Sequence, residues 1–154
     1  MATTDSDTVL LLVGPNQVNL NANFHLLSQA SDVFAKMFKP TCWLEGQTKK
    51  ATLEDDDEEG MKTIMDIIHF GTQQSKDYRP PKPETIREIA ILADKYDFKG
   101  IWPFFEMWYS IRQKCPEYDS FEACAYWLKA AIIFKNDKIF SQLCKEIIME
   151  YCDS

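Results

Sequence analysis

The sequence predicts an α+β fold in which a cluster of helices packs with a small three-stranded sheet and continues into a C-terminal helical hairpin. Residues 9–20 combine an apolar run, a turn and an alternating stretch, which is the pattern of a β-hairpin. Residues 84–96 repeat apolar side chains at helical spacing, and two more helical patterns follow residue 120. The 154 residues, 45% of them apolar, suffice for the buried core of one domain.

The N-terminal hairpin is predicted from a change of pattern within residues 9–20. Val9–Val13 is a continuous apolar run, and the Gly-Pro-Asn sequence at 14–16 ends it. Val18 and Leu20 then alternate with polar residues, as in a half-buried strand. These two stretches are therefore predicted to be the first two strands of the sheet.

Two short helices and a third strand are predicted next. Asn23 and Ser31 suit helix starts, because their side chains can accept a hydrogen bond from a free backbone amide. Pro40 ends the second helix, residues 42–48 are predicted as a loop, and Lys50–Leu53 as a strand. The second helix is expected to bury three side chains: Phe34, Met37 and Phe38.

Six consecutive acids, Glu54–Glu59, precede the next amphipathic helix, which ends near Gly71. Acids at a helix N-terminus complement the helix dipole by about 0.3 to 1 kcal/mol for each well-placed group, and the remaining acids are predicted to stay solvated. A calcium loop is the alternative, but the alternating ligand spacing and mid-loop Gly of an EF-hand are missing. We therefore predict no metal site. The apolar face of this helix consists of Met61, Ile64, Met65 and Ile68.

A third amphipathic helix is predicted over Glu84–Tyr96, with Pro83 at its first turn, where a missing amide is tolerated. Its two alanines leave little side chain on the apolar face, so neighbouring helices can approach closely and the helix can sit centrally. Arg79–Pro83 is read as a stiff connector, the alternative being a ligand for an aromatic-lined groove. The apolar face consists of Ile86, Ile89, Ala90, Ala93 and Tyr96.

Three helices are predicted after Gly100. The first opens at Pro103, and the polar stretch Gln113–Ser120 separates it from a helical pair with a short Asn-Asp turn. We therefore predict a first domain over residues 1–112 and a helical extension over 113–154 packed on it. The first helix carries Phe104, Met107, Trp108 and Ile111; the expected buried stripes of the pair are Phe121, Cys124, Ala125, Leu128 and Ile132, then Phe140, Leu143, Cys144, Ile147, Ile148 and Tyr151.

Charge and composition exclude several function classes. The net charge of −7 argues against a nucleic-acid partner, which needs clustered Lys and Arg. The apolar run Val9–Val13 is too short for a membrane span or a signal peptide, so we expect an intracellular protein without a membrane partner. Five cysteines without close C-x-x-C spacing are predicted to be reduced thiols: Cys42, Cys115, Cys124, Cys144 and Cys152.

No catalytic or cofactor-binding motif is found, so the sequence does not predict an enzyme. His25 and His69 are the only histidines, and each stands beside apolar residues outside any nucleophile, zinc or phosphate motif. Asp94 and Lys95 are adjacent, so their side chains diverge by about 100° on a helix and cannot act as a facing acid and base. We interpret them as solvated or supporting the fold.

Several segments resemble the BTB/POZ domain, particularly the form common in fungal proteins. LLSQASDVFAKMF is similar to the pattern L-x-x-x-S-x-x-F-x-x-M-F of that family, and IAILADKYDF is similar to its A-x-x-A-D-K-Y helix. The residues that match these two patterns are Leu27, Ser31, Phe34, Met37, Ala90, Ala93, Asp94, Lys95 and Tyr96. The segments WLEG and LEDDD also match, through Trp43, Glu45, Gly46, Leu53, Asp56 and Asp57, and the last two helices resemble a truncated BACK extension.

The resemblance implies a protein-interaction module, and in some members an adaptor to a cullin ubiquitin-ligase scaffold. A hydrophobic-x-Glu motif contacts the cullin in such proteins, and WLE resembles it with one extra loop residue. The candidate protein-binding residues are Phe38, Trp43, Leu44 and Glu45. The alternative is a structural or regulatory self-association domain without a ligase connection.

Two departures from the family pattern bear on assembly. Where many members carry a His-Lys pair, this chain has Asn23 and Phe24, which alters a buried polar tie or pocket. Dimeric members begin with an extra helix that is exchanged between partners, whereas here eight residues precede Val9. Self-association is therefore open, and the usual exchanged dimer is not expected.

Overall fold

The structure is a computed structural model that describes residues 7–40, 43–71, 79–112 and 115–152. They group into two compact units. The first is drawn from Met1–Gln73 and Lys95–Lys99, and the second from Gln74–Asp94 and Gly100–Ser154. These units are defined by the compactness of the structure and do not test the predicted domain boundary after residue 112, which stays a prediction.

The first unit contains the predicted three-stranded sheet. Its strands are β1 (Thr8–Val13), β2 (Val18–Asn23) and β3 (Lys50–Leu53), in the order β2-β1-β3. β1 pairs antiparallel with β2 through a turn at Gly14, whose φ of 79° favours glycine, and parallel with β3. The register places alternate side chains of the three strands on one buried face: Val9, Leu11, Val13, Ala22, Ala51 and Leu53.

Four helices complete the first unit: α1 (Phe24–Ala30), α2 (Asp32–Met37), α3 (Leu44–Thr48) and α4 (Glu58–Phe70). The first, second and fourth of these helices are capped by Asn23, Ser31 and Asp57. In each case a side-chain oxygen accepts a hydrogen bond from a backbone amide of the first turn. α4 ends at Gly71, as the sequence predicts. The predicted caps at Asn23 and Ser31 are confirmed.

The second unit is helical. It contains α5 (Pro83–Lys95, of which Lys95 belongs to the first unit), α6 (Trp102–Ile111), α7 (Phe121–Ile133) and α8 (Asp137–Tyr151), with a 3-10 turn at Pro116–Tyr118. The predicted C-terminal helical hairpin is thus present. The core of this unit includes the rings of Phe105, Trp108 and Trp127, together with Ile86, Ile89, Ala90, Leu92 and Ala93 of α5.

The buried face of α7 differs from the predicted stripe. Cys124 is buried, but Phe121, Ala125 and Ile132 of that stripe are exposed. The sequence FEACAYWLKAAII is apolar on several sides of the helix, so periodicity alone does not select the buried one. Packing selects the side that carries the largest ring: Ala123, Cys124, Trp127, Ala130 and Ala131 are buried.

The expected stripe of α8 also needs correction. Leu143 is buried, but Phe140 and Ile148 are exposed, and Ile139 is buried in their place. The covered side of α8 is therefore turned from the predicted stripe toward Ile139, although Cys144 and Ile147 of that stripe are half-buried.

The cysteines that the structure describes are free thiols. Cys115 and Cys124 are buried, Cys144 is half-buried and Cys152 is exposed. Cys42 lies outside the described residues. Within the described ranges, no helix has both the length and the apolar character that crossing a bilayer requires.

Candidate protein-interaction surface

The segment that follows α2 is a short helix rather than the predicted loop. α3 begins at Leu44, after Trp43 in extended conformation, and ends at Lys49, whose φ of 56° is left-handed. The Thr48 hydroxyl donates to the Leu44 carbonyl at 3.1 Å, closing the helical turn. Beyond the turn, the Lys49 carbonyl accepts the Leu10 amide at 2.9 Å, which fixes the end of α3 to the sheet. The missed helix is only five residues long, too short for a periodic pattern.

Gly46 explains how α3 can lie so close to the end of α2. A Cβ atom built at Gly46 would overlap the carbonyl oxygen of Lys39 and approach the carbonyl carbon of Phe38 to 3.1 Å. These are backbone atoms, so a side chain could enter only if the two segments moved apart. The Glu-Gly sequence at 45–46 therefore provides a close helix contact, and the residues just before it are held in a defined place.

Two large apolar side chains stand on the surface at the start of α3. Trp43 is 60% exposed and Leu44 is 70% exposed, while Glu45 beside them is half-buried. The structure therefore brings three of the four candidate binding residues to one short surface segment. We call Trp43, Leu44 and Glu45 the WLE segment.

Phe38 does not share this surface. Its side chain is buried, with 3% of its surface exposed, and its ring is stacked on that of Phe34 with 6.2 Å between the ring centroids. Phe38 instead lines a cavity of about 240 Å³, together with Val9, Phe24, Pro40 and Gly46. The Gly46 amide donates to the Trp43 carbonyl at 3.1 Å, so this cavity adjoins the WLE segment through Gly46.

Ser31 and Phe34, both fully buried, tie α2 to residues 96–99. The Ser31 hydroxyl donates a hydrogen bond to the Tyr96 carbonyl at 2.5 Å and accepts one from the Phe34 amide at 3.1 Å. One side chain therefore caps α2 and also holds the turn that follows α5. The Phe34 ring stacks on that of Tyr96 at 4.5 Å, and Ser31 forms an isolated β-bridge with Phe98. These contacts give the serine and phenylalanine of the matched pattern a structural role.

Asp56 is the buried acid of the acidic run, contrary to the expectation that acids beyond the helix start are solvated. It is 5% exposed; its carboxylate accepts hydrogen bonds from the Tyr96 hydroxyl and from the Lys95 ammonium, the latter at 2.5 Å. A buried carboxylate needs such partners, because an unpaired charge in a protein interior is costly. The LEDDD and ADKY segments of the sequence thus meet in one polar cluster, which we call the Asp56 cluster. Asp57 caps α4 instead.

Burial and the bond to Asp56 both act on Tyr96. Burial of the phenol is the larger cause, followed by the hydrogen bond and the negative charge of Asp56, and together they raise the pKa of Tyr96 well above its ordinary value of 10.0. The neutral hydroxyl is therefore the form that the folded protein requires.

The remaining signature residues have packing or surface positions. Ala90 and Ala93 are buried on α5, Leu27 is buried on α1, and Met37 is half-buried. Asp94 is exposed. The adjacent Lys95 pairs with Asp56.

His69 makes a tertiary contact that the sequence-based predictions do not contain. His69 of α4 accepts the Asn23 backbone amide through Nε2 at 2.9 Å, and its Nδ1 lies 2.7 Å from the Met65 carbonyl, so it joins α4 to the end of β2. The two partners are 46 residues apart, and no local pattern marks the pair. His25 Nε2 lies 3.3 Å from Asp7 Oδ1. Across the described ranges, His, Cys, Asp and Glu side chains form no group that could hold a metal ion.

Comparison with protein families gives a match. A family model for the BTB/POZ domain matches residues 3–108, which is more than half of the chain. A search of curated proteins finds no match.

Proposed function

The chain belongs to the BTB/POZ domain family, and from this membership we propose that it is an adaptor that holds a protein partner on its WLE segment. BTB/POZ domains are protein–protein interaction modules, generally not enzymes. The proposal adds to this membership the surface that is used and the class of partner that it binds.

The exposure of Trp43 and Leu44 carries the proposal. Large apolar side chains that project together from a folded surface favour a partner that removes them from water. Trp is also enriched among the residues that dominate binding energy. Because Gly46 holds α3 close to the backbone at Lys39, the backbone of the segment has little freedom left to lose when a partner binds.

We propose a cullin amino-terminal domain as the partner. The support is the resemblance of WLE, with one extra loop residue, to the hydrophobic-x-Glu motif at this position of cullin-binding BTB proteins. Trp43 would be the buried anchor, and Glu45 would form a contact with a basic group of the partner. An intracellular location is part of the proposal, and the free thiols of the described cysteines support it.

The alternative function is self-association without a ligase connection. The family membership is compatible with it, since BTB domains also pair with one another. The two functions differ in what they require of the WLE segment: an adaptor needs it for a cullin, and a self-association domain does not.

Calorimetric titration against a cullin amino-terminal domain tests the proposal. We expect the parent protein to bind and Trp43→Ala to weaken binding at least about thirtyfold, because truncating a buried interface Trp commonly costs about 2 kcal/mol or more. Glu45→Ala should weaken binding less, and its effect should shrink as salt is added, because the contact is electrostatic.

Trp102→Ala is the matched control, because Trp102 is 55% exposed, close to the 60% of Trp43, and lies on α6. It should leave the affinity within about twofold of the parent, and thermal unfolding should show that each variant is folded. No binding by the parent, or equal losses for the two Trp variants, would reject the adaptor proposal. If the parent does not bind cullin but light scattering detects a dimer, the alternative function is supported.

A further inference from the structure

The exposed side of α7 carries an apolar stripe beside two charges. Ile132 is 59% exposed, Phe121 is 57% exposed, Ala125 is exposed, and Leu128 between them is half-buried. All four lie within about 60° of the direction of Ala125 when the helix turns by 100° for each residue. The helix therefore leaves one apolar strip in contact with solvent along most of its length.

The two charges lie along one edge of this strip. Glu122 and Lys129 are both exposed, and neither forms an ion pair with another residue that the structure describes. They are seven residues apart, about 10.5 Å along the axis, which is too far for a direct bond within the helix. Each charge is therefore free to meet an opposite charge from outside.

The apolar and charged residues are arranged symmetrically along the helix. The pair Phe121 and Ile132, the pair Ala125 and Leu128, and the pair Glu122 and Lys129 all have their midpoints at about residue 126. The third pair combines opposite charges. A two-fold contact between identical helices requires this arrangement, because residue i of one copy then meets residue j of the other, and j meets i.

We propose that α7 is the contact helix of a homodimer, in which it packs antiparallel against α7 of a second copy around a two-fold axis near residue 126. Phe121 of each copy then packs beside Ile132 of the other, and the small side chain of Ala125 lets the two backbones approach at the centre. Glu122 of each copy meets Lys129 of the other, so the dimer gains two ion pairs. The occupant of the exposed face is thus a second copy of this chain, and charge complementarity specifies the antiparallel direction.

This contact is independent of the proposed adaptor function. It lies on α7, in the second unit, whereas the WLE segment belongs to the first. One helix pair buries less surface than a standard interface, so we expect a reversible dimer with a dissociation constant on the order of micromolar. Loss of cullin binding would leave this dimer in place, and loss of the dimer would leave the WLE segment available.

Charge reversal with rescue tests the proposal, using sedimentation velocity on the whole chain from about 1 to about 500 micromolar. Glu122→Lys should raise the dissociation constant about tenfold, because two Glu–Lys contacts become repulsive. The double variant Glu122→Lys with Lys129→Glu should return it to within about threefold of the parent, because the symmetric arrangement restores both contacts.

Ala125→Glu places a charge at the centre of the contact and should leave the protein monomeric over this range. Phe70→Ser is the control, since Phe70 is 71% exposed but lies on α4, and it should not change the dissociation constant. A parent that stays monomeric at the highest concentration overturns the proposal. So does a dimer that is insensitive to Ala125→Glu, or a double variant as weak as the single reversal.

Discussion

Asp56 illustrates how one residue takes a role that its neighbours in the sequence do not share. Of the six acids at 54–59, Asp56 is the one that the structure buries, and it is satisfied by Lys95 and Tyr96. Its partners lie 39 and 40 residues further along the chain, so the acidic run alone does not distinguish it from the others. The role of Tyr96 is complementary, because its hydroxyl donates a hydrogen bond to this carboxylate.

Removing the Tyr96 hydroxyl should destabilise the protein at neutral pH. Tyr96→Phe deletes a hydrogen bond to a buried carboxylate, and leaving such a group short of a donor costs about 1 to 3 kcal/mol. Urea unfolding monitored by fluorescence at pH 7 gives the free energy of unfolding. Tyr126→Phe is the control, because Tyr126 is half-buried and lies under the guanidinium of Arg87 instead. A control as unstable as Tyr96→Phe would contradict the role of the Asp56 cluster.

The same tyrosine predicts a loss of stability in alkali. Because the pKa of Tyr96 is raised in the folded state, the contribution is fully present below about pH 10, where the unfolded phenol begins to ionise, and it decreases as the pH rises further. The free energy of unfolding of the parent should therefore fall more between about pH 9 and 11 than that of Tyr96→Phe. Parallel pH profiles for the two proteins would show that Tyr96 does not titrate differently on folding.

Gly46→Ala should cost about 1 to 3 kcal/mol, because the new methyl group meets the backbone at Lys39. In an unhindered helix the same change would stabilise the protein by about 0.5 to 1 kcal/mol, so the sign of the effect is diagnostic. The exposed neighbour Gln47→Ala serves as the control and should shift stability by less than about 0.5 kcal/mol. Thermal or urea denaturation measures both, and an unchanged or higher stability of Gly46→Ala would show that α3 does not pack closely on α2.

Among the elements, α5 agrees best with its sequence pattern. The expected stripe Ile86, Ile89, Ala90 and Ala93 is buried, and the helix begins at Pro83. Leu92 is buried in addition, so the buried face is wider than the stripe. α7 shows the opposite case, because its apolar residues surround the helix and only packing decides which side is covered.

Ala93→Leu tests the packing of α5. Ala93 is 7% exposed, and a larger side chain there should overpack the contact and cost about 1 to 3 kcal/mol. Ile91→Leu is the control, because Ile91 is 37% exposed on the same helix and should tolerate the change. The denaturant concentration at the midpoint of unfolding is measured for the parent protein and for both variants. If those of Ala93→Leu and the parent coincide, Ala93 does not lie at a packed contact.

At the scale of the whole molecule, the two proposed contact surfaces belong to different units. The WLE segment lies in the first unit, built around the sheet, and the exposed side of α7 lies in the helical second unit. The adaptor proposal and the dimer proposal therefore concern different residues, and each can be tested without the other.

The sequence by itself determined the strands, most helices and their caps, because these depend on local periodicity and on single residues such as Asn23, Ser31 and Gly71. It also singled out the WLE segment as a candidate binding site, which stays a prediction. Only the tertiary structure decided which apolar face of α7 is covered, that Trp43 is exposed, and that Asp56 meets Tyr96. Burial and side-chain pairing depend on segments tens of residues apart, and no local pattern records which of them come together.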